Sequence, residues 1–94
     1  MKLISITKAN DGKHKYQAVF DIDGKKKTTK FGAVGYDDFT KTKDIYQREA
    51  YLARHRTRED WNNPTSAGAL SRWILWNEPT LSMSIKDFKK RFKL

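Results

Sequence analysis

Tyr16, Ala18, Phe20 and Ile22 recur at every second position, with Lys15, Gln17 and Asp21 between them. That alternation predicts a strand with one buried face. Ahead of it, the β-branched and apolar run Leu3 to Thr7 predicts a first strand, closed by the turn-forming Asn10-Asp11-Gly12. After it, Asp23-Gly24 supplies residues that tolerate positive φ in a tight hairpin, so Lys25 to Phe31 is expected to return antiparallel to the second strand. A three-stranded meander over residues 1–33 follows. The face occupied by each lysine of the third strand depends on whether the turn has two residues or carries a glycine bulge, and both registers fit the pattern.

Beyond Phe31 the period changes. The stretch FGAVGYDDF, Phe31 to Phe39, reads as a connector whose Asp37 or Asp38 caps a helix running from about Phe39 or Thr42 to Arg58. On a helical wheel Phe39, Tyr46, Ala50 and Ala53 share an arc, bordered by Ile45 and Leu52, and this arc is the expected packing face. Lys41, Arg48, Tyr51, His55 and Arg58 lie roughly opposite. Asn63-Pro64 resembles a cap with proline in the first helical position, predicting a second helix to about Trp76. Its apolar residues spread nearly all round, as in a central helix. Glu78-Pro79 ends it. Leu81, Ile85, Phe88 and Phe92 then mark the stripe of a last helix, with Ser84 and Asp87 as its capping box.

No repeat or linker divides the chain, so a single domain over residues 1–94 is expected, a meander in 1–33 and a helical part in 36–94. The fold class is α+β: a three-stranded antiparallel β-meander followed by three α-helices packed on one face. A chain of this length buries roughly 60% of its unfolded surface, so one modest core is expected. With no cysteine, disulfides and thiol-bound metals are excluded.

Charge changes the picture most. Lys and Arg number 20 against 11 Asp and Glu, for a net charge of +9. Residues 1–35 carry +5 of this and residues 63–94 carry +4, while residues 36–62 are balanced. Such a chain is drawn to polyanions. Lys25, Lys26, Lys27 and Lys30 stand on the predicted hairpin, where they can contact phosphates or guard a sheet edge against aggregation. Lys86, Lys89, Lys90 and Lys93 flank the last apolar stripe, as on a helix that lies along a phosphate backbone or one that merely solubilises a core element. Arg48, Arg54 and Arg58 of the first helix can fork to phosphates or pair with Asp44, Glu49, Glu59 and Asp60. Arg72 interrupts an apolar helix and is expected to pair with Glu78 or Asp60.

No apolar run approaches the ~20 residues that cross a bilayer. The opening turns polar after six residues, so no secretory leader is expected. Catalytic chemistry is not visible: His14 and His55 have no metal-ligand spacing, FGAVG lacks a phosphate-loop lysine, and a nuclease reading of His55, Glu59 and Asp60 lacks further carboxylates. Neither catalytic residues, metal, cofactor nor small-molecule substrate is expected, and the three tryptophans are read as core.

The ordered segments KFGAVGYDDFT, YLARHR, ALSRWILWN and SIKDFKKRF resemble an uncharacterised family of small basic proteins of nucleocytoplasmic large DNA viruses, giant and algal viruses among them. The resemblance covers most of the chain and is densest from Phe31 to Phe92. It implies a setting in the virion, in a viral factory of the host cytoplasm or in the host nucleus. The front half is also similar in layout to the three-stranded DNA-binding domains at the start of phage-type integrases. Together these readings lead to an expected non-enzymatic nucleic-acid-binding protein, with DNA a better candidate than RNA. The competing expectation is a protein-interaction or virion structural module that forms a homo-oligomer, such as a dimer, through its tryptophans and the apolar helix.

Overall fold

The computed structural model describes all 94 residues. Lys2–Lys8 (β1), His14–Ile22 (β2) and Lys25–Ala33 (β3) form one antiparallel sheet in the order β1-β2-β3. Asp23 and Gly24 both adopt positive φ, 53° and 83°, and Ile22 pairs with Lys25. The turn therefore has two residues, and its two left-handed positions match the twist of the flanking strands. This fixes the register left open by the sequence: Phe20 faces Lys27, Ala18 faces Thr29 and Tyr16 faces Phe31. Lys25, Lys27, Thr29 and Phe31 thus share the face of the buried Ala18 and Phe20, while Lys26, Thr28 and Lys30 point the other way. In β1 the register shifts between Leu3 and Ser5, leaving Ile4 as an extra residue, so that Leu3 and Ile6 both reach the inner face opposite Phe20 and Ala18.

The helical part departs from expectation at its start. Asp38 does cap a helix, accepting hydrogen bonds from the backbone N–H of Thr40 at 2.9 Å and Lys41 at 3.3 Å, but that helix, α1, spans only Phe39–Thr42. Lys43 turns left-handed with φ 56°, and Asp44 then caps a separate α2, Ile45–His55. The break resets the helical phase. Leu52, Tyr51, Arg48 and His55 consequently turn inward, while Tyr46 is 89% exposed and Ala50 and Ala53 also face solvent. Of the expected packing face, Phe39, now in α1, and Leu52 at its border are buried, while Ile45, Tyr46, Ala50 and Ala53 lie on the outside.

The next helix begins later than predicted. Asn63 accepts from the N–H and hydroxyl of Thr65 in a turn, and Ser66 caps α3, Ala67–Leu70. The chain continues through a wider turn over Ser71–Leu75, where Trp76 N–H reaches back five residues to the carbonyl of Ser71. Helix α4, Leu81–Phe92, is capped by Thr80 rather than by Ser84 and Asp87. Ser84 is fully buried inside the helix and accepts from Glu78 N–H at 3.0 Å, holding the connector that Pro79 stiffens.

The core joins Ala18, Phe20 and Phe31 of the sheet to Phe39, Leu52, Leu70, Ile74, Leu75, Trp76 and Phe88. Each buried phenylalanine contributes about 1.5–3 kcal/mol of transfer free energy. Gly32, at φ 76°, lies where a Cβ would come within 2.8 Å of the Leu75 side chain, so the helical layer can approach β3 this closely only at a glycine. The opposite face of the sheet carries Ser5, Thr7, Gln17, Asp21, Lys26 and Lys30, and the helices pack on one face as expected. No helix is long and apolar enough to cross a membrane.

Candidate nucleic-acid interface

Helix α4 is built from a phenylalanine stripe and its lysines. Phe88 is fully buried and its ring lies 5.1 Å from that of Phe92, which fixes the inward side. At 3.6 residues per turn, Lys86, Lys89 and Lys90 then fall in one outward arc of about 100°. All three are exposed, as is Lys93 at the left-handed C-cap, and none forms an ion pair. The only acid on the helix, Asp87, lies on the other flank, where it accepts from Asn77 at 2.8 Å and pairs with Arg91 at 3.4 Å. Lysines near a helix C-terminus are also favoured by the macrodipole.

The hairpin lysines do not form one cluster. Lys25 and Lys27 belong to the helix-covered side, where Lys27 donates to Thr65 Oγ1 at 3.4 Å. Lys26 and Lys30 belong to the open side of the sheet. There Lys2 and Lys26 flank Asp21 from the two neighbouring strands, and Lys30 lies 3.6 Å from Asp11. Asp11 itself is held well below the usual carboxylate range, chiefly by the backbone N–H of His14, then by the His14 side chain and Lys13 N–H. The open face therefore mixes signs. That face is turned away from the helical layer to which α4 belongs.

The α2 arginines separate as well. Arg54 is exposed and unpaired on α2; Arg58, expected to end the same helix, lies instead in the turn after His55, also exposed and unpaired. Arg48 is drawn inward: its guanidinium lies 5.0 Å from the Phe39 ring centroid, donates to the carbonyl of Asn77 at 2.9 Å and pairs with Glu49 at 3.0 Å. Arg72 pairs with neither Glu78 nor Asp60. It lies 5.3 Å from the ring of Trp61 and 4.1 Å from that of Trp73, and donates weakly to Trp76 O and Asn77 Oδ1. The tryptophans are scaffold: Trp76 is in the core, and Trp61 and Trp73 pack against it.

A cleft of about 580 Å³ opens between α2 and the connector after β3, lined among others by Lys15, Tyr36, Asp38, Tyr51, Arg54 and Trp76. One wall is a three-ring stack in which Tyr51 lies between His55 and Trp76. Burial, reinforced by the negative charge of Glu59, pushes the Tyr51 phenol up to about 12. Lys15 and Asp38 pair at 2.5 Å in this cleft. His55 and Glu59 bond at 3.1 Å and Glu59 also accepts from Trp61, while Asp60 accepts from Asn62 N–H and does not join them. No three His, Asp or Glu side chains converge as metal ligands would.

Sequence reasoning missed the grouping of Arg48, Arg72 and Arg91 around Asn77. The i, i+4 spacing of Asp87 and Arg91 signals one arm of it, but the meeting of three elements at Asn77 has no local signature.

No curated protein and no solved structure matches the chain. A family model matches residues 4–55, which run from β1 to the end of α2, more than half of the sequence. The chain belongs to that family, a family of unknown function (DUF5754).

Proposed function

We propose that the protein is a non-enzymatic nucleic-acid-binding domain that holds duplex DNA through phosphate contacts, with α4 as its principal contact. The observation that carries this reading is the outward arc of Lys86, Lys89 and Lys90, extended by Lys93, with no carboxylate paired to any of them. Four unneutralised ammonium groups on a rigid helix release condensed counterions when they meet phosphates, which gives affinity without base readout. Exposed, unpaired Arg54 and Arg58 and the hairpin lysines would add further, separate contacts. Duplex DNA comes before RNA because of the resemblance to proteins of large DNA viruses, whose factories, virions or host nuclei would supply it.

Fluorescence anisotropy with a labelled duplex, a single strand and an RNA duplex, each at several NaCl concentrations, tests the reading. Non-specific dissociation constants of roughly 10⁻⁴–10⁻⁶ M at physiological salt are expected. Replacing Lys86, Lys89 and Lys90 together by Ala should flatten the slope of log K against log salt by up to about 2.7. An affinity indifferent to salt, or to those three substitutions, would remove α4 from the mechanism.

A second reading, a module that self-associates, is favoured by a different surface from the tryptophans. Ile45, Tyr46, Ala50 and Ala53 leave an apolar strip on the outside of α2. In an antiparallel pair of α2 helices Glu49 of one copy would approach Arg56 of the other, so the strip is self-complementary in charge. Light scattering beside the binding assay separates the readings: a stable dimer that does not retard DNA favours the second.

A further inference from the structure

Arg48 and Arg72 both reach Asn77, and Arg91 is linked to it through Asp87, which accepts from both Asn77 and Arg91. Arg48 comes from α2 and donates to the Asn77 carbonyl at 2.9 Å. Arg72 comes from the wide turn after α3 and donates to Trp76 O at 3.4 Å and Asn77 Oδ1 at 3.5 Å. Arg91, from α4, lies with its guanidinium 3.7 Å from the Trp73 ring centroid, against the same ring that Arg72 approaches at 4.1 Å. The Arg72 and Arg91 charges are thus separated by no more than roughly the 8 Å Debye length of physiological salt. Two carboxylates serve the group, Glu49 on Arg48 and Asp87 on Arg91, and neither pairs with Arg72.

Two features of this arrangement are unbalanced. The Nε atoms of Arg48 and Arg72 are both buried and have no hydrogen-bond partner. A buried donor left unmade costs about 1–3 kcal/mol, more when it carries charge, so an acceptor that reached either Nε would be bound favourably. The charges are also unmatched, three guanidiniums against two carboxylates. Arg72 is held below the usual guanidinium range, first by burial and then by the positive charges of Arg48 and Arg91. The aromatic rings of Phe39, Trp61 and Trp73 hold the three forks in place before any ligand arrives, so little ordering entropy is lost on binding.

We propose that Arg48, Arg72 and Arg91 form a binding site for a phosphate-type oxyanion, which supplies the missing acceptors and the missing negative charge. A tetrahedral oxyanion can accept from several forks at once, and guanidinium is the side chain best shaped for it. The site does not depend on the α4 lysine arc and stands or falls separately from it. Its phosphate can come from a nucleic-acid backbone or from free phosphate.

The test uses the full chain and inorganic phosphate, titrated at constant ionic strength against NaCl. Tryptophan emission reads the site directly, because Trp73 touches two of the three guanidiniums, and thermal unfolding gives a second readout. A saturable change and a raised midpoint are expected with phosphate and not with chloride. Arg48→Gln and Arg91→Gln should each weaken the response about tenfold or more. Arg48→Lys, which keeps the charge but not the fork, should weaken it as well. Arg72 packs against Trp61 and Trp73, so neither the wild-type titration nor the other variants rely on replacing it. Equal responses to phosphate and chloride would overturn the site, as would a phosphate response untouched by the Arg48 and Arg91 variants. If the response disappears only when Lys86, Lys89 and Lys90 are replaced, the anion sits on the α4 arc and the arginine site is wrong. A short DNA duplex that displaces phosphate identifies the backbone as the source; phosphate retained beside bound duplex identifies free phosphate.

Discussion

The indole of Trp76 lies parallel to the phenol ring of Tyr51, with 4.2 Å between centroids and 6° between planes. On its other side Tyr51 stacks on His55 at 4.1 Å. This column is how α2 is fastened to the chain that follows the wide turn, since Leu52 is the only fully apolar side chain that α2 buries. Tyr51→Ala removes both the stack and the burial of a large ring, and should lower stability by about 2–4 kcal/mol in urea unfolding. A loss within experimental error would mean that Leu52 and Arg48 anchor the helix without the stack.

The same ring gives the fold an alkaline limit. Burial favours the neutral phenol in the folded state and raises its pKa from 10.0 to about 12. A raised folded-state value means that the contribution is complete below pH 10 and is lost as pH climbs toward 12. Tyr51→Phe keeps the stack and removes the titration. Its stability should therefore fall less steeply than that of the wild type in this window, and its tyrosinate absorbance should lack the last-titrating component. Identical profiles for the two proteins would show that Tyr51 is open to water.

Asp38 is 2% exposed and does two things at once. It caps α1 through Thr40 and Lys41, and it holds the Lys15 ammonium at 2.5 Å. Asp38→Asn keeps a capping oxygen but strands the ammonium; Asp38→Ala loses both. Breaking such a pair from one side costs about 3–5 kcal/mol, to which the cap adds about 1. Asp38→Ala should accordingly be the more damaging by roughly the value of the cap. Adding Lys15→Met to Asp38→Asn should restore most of the loss, because the uncompensated charge goes with it. If the double variant is no better than Asp38→Asn, the damage lies in the connector and not in the charge.

The sheet was legible because its information is local. Alternation in β2 and the Asp23-Gly24 pair determine the strands, and only the turn's residue count and the extra residue Ile4 in β1 were missing. Helix α4 was equally plain, since Leu81, Ile85, Phe88 and Phe92 remain on one phase from end to end. Helix α2 was misread through Phe39, which set the phase of a wheel across a break at Lys43 that no glycine or proline announces. Once the phase is reset, Leu52 is joined on the inward face by Arg48, Tyr51 and His55, side chains that bury apolar stems and rings beneath polar tips. A hydrophobicity pattern scores these as surface. For the same reason the basic stripe expected to meet a ligand includes residues that pack, and the oxyanion site proposed around Asn77 was invisible.

Lys43 therefore offers the sharpest test of the helical part. Its φ of 56° is left-handed, and its N–H closes α1 by donating to Phe39 O at 2.9 Å. Left-handed backbone costs a residue with a Cβ about 1–2 kcal/mol, and glycine avoids that cost. Lys43→Gly should therefore stabilise the protein, by somewhat less than this because glycine also gains freedom in the unfolded chain. Were Phe39 to His55 one continuous helix, the same substitution would destabilise it by about 1 kcal/mol. The two geometries predict opposite signs for one exposed side chain that makes little contact beyond a bond to Thr40 O. A shift of the urea midpoint to lower concentration in Lys43→Gly would refute the break, and with it the outward placement of Tyr46, Ala50 and Ala53.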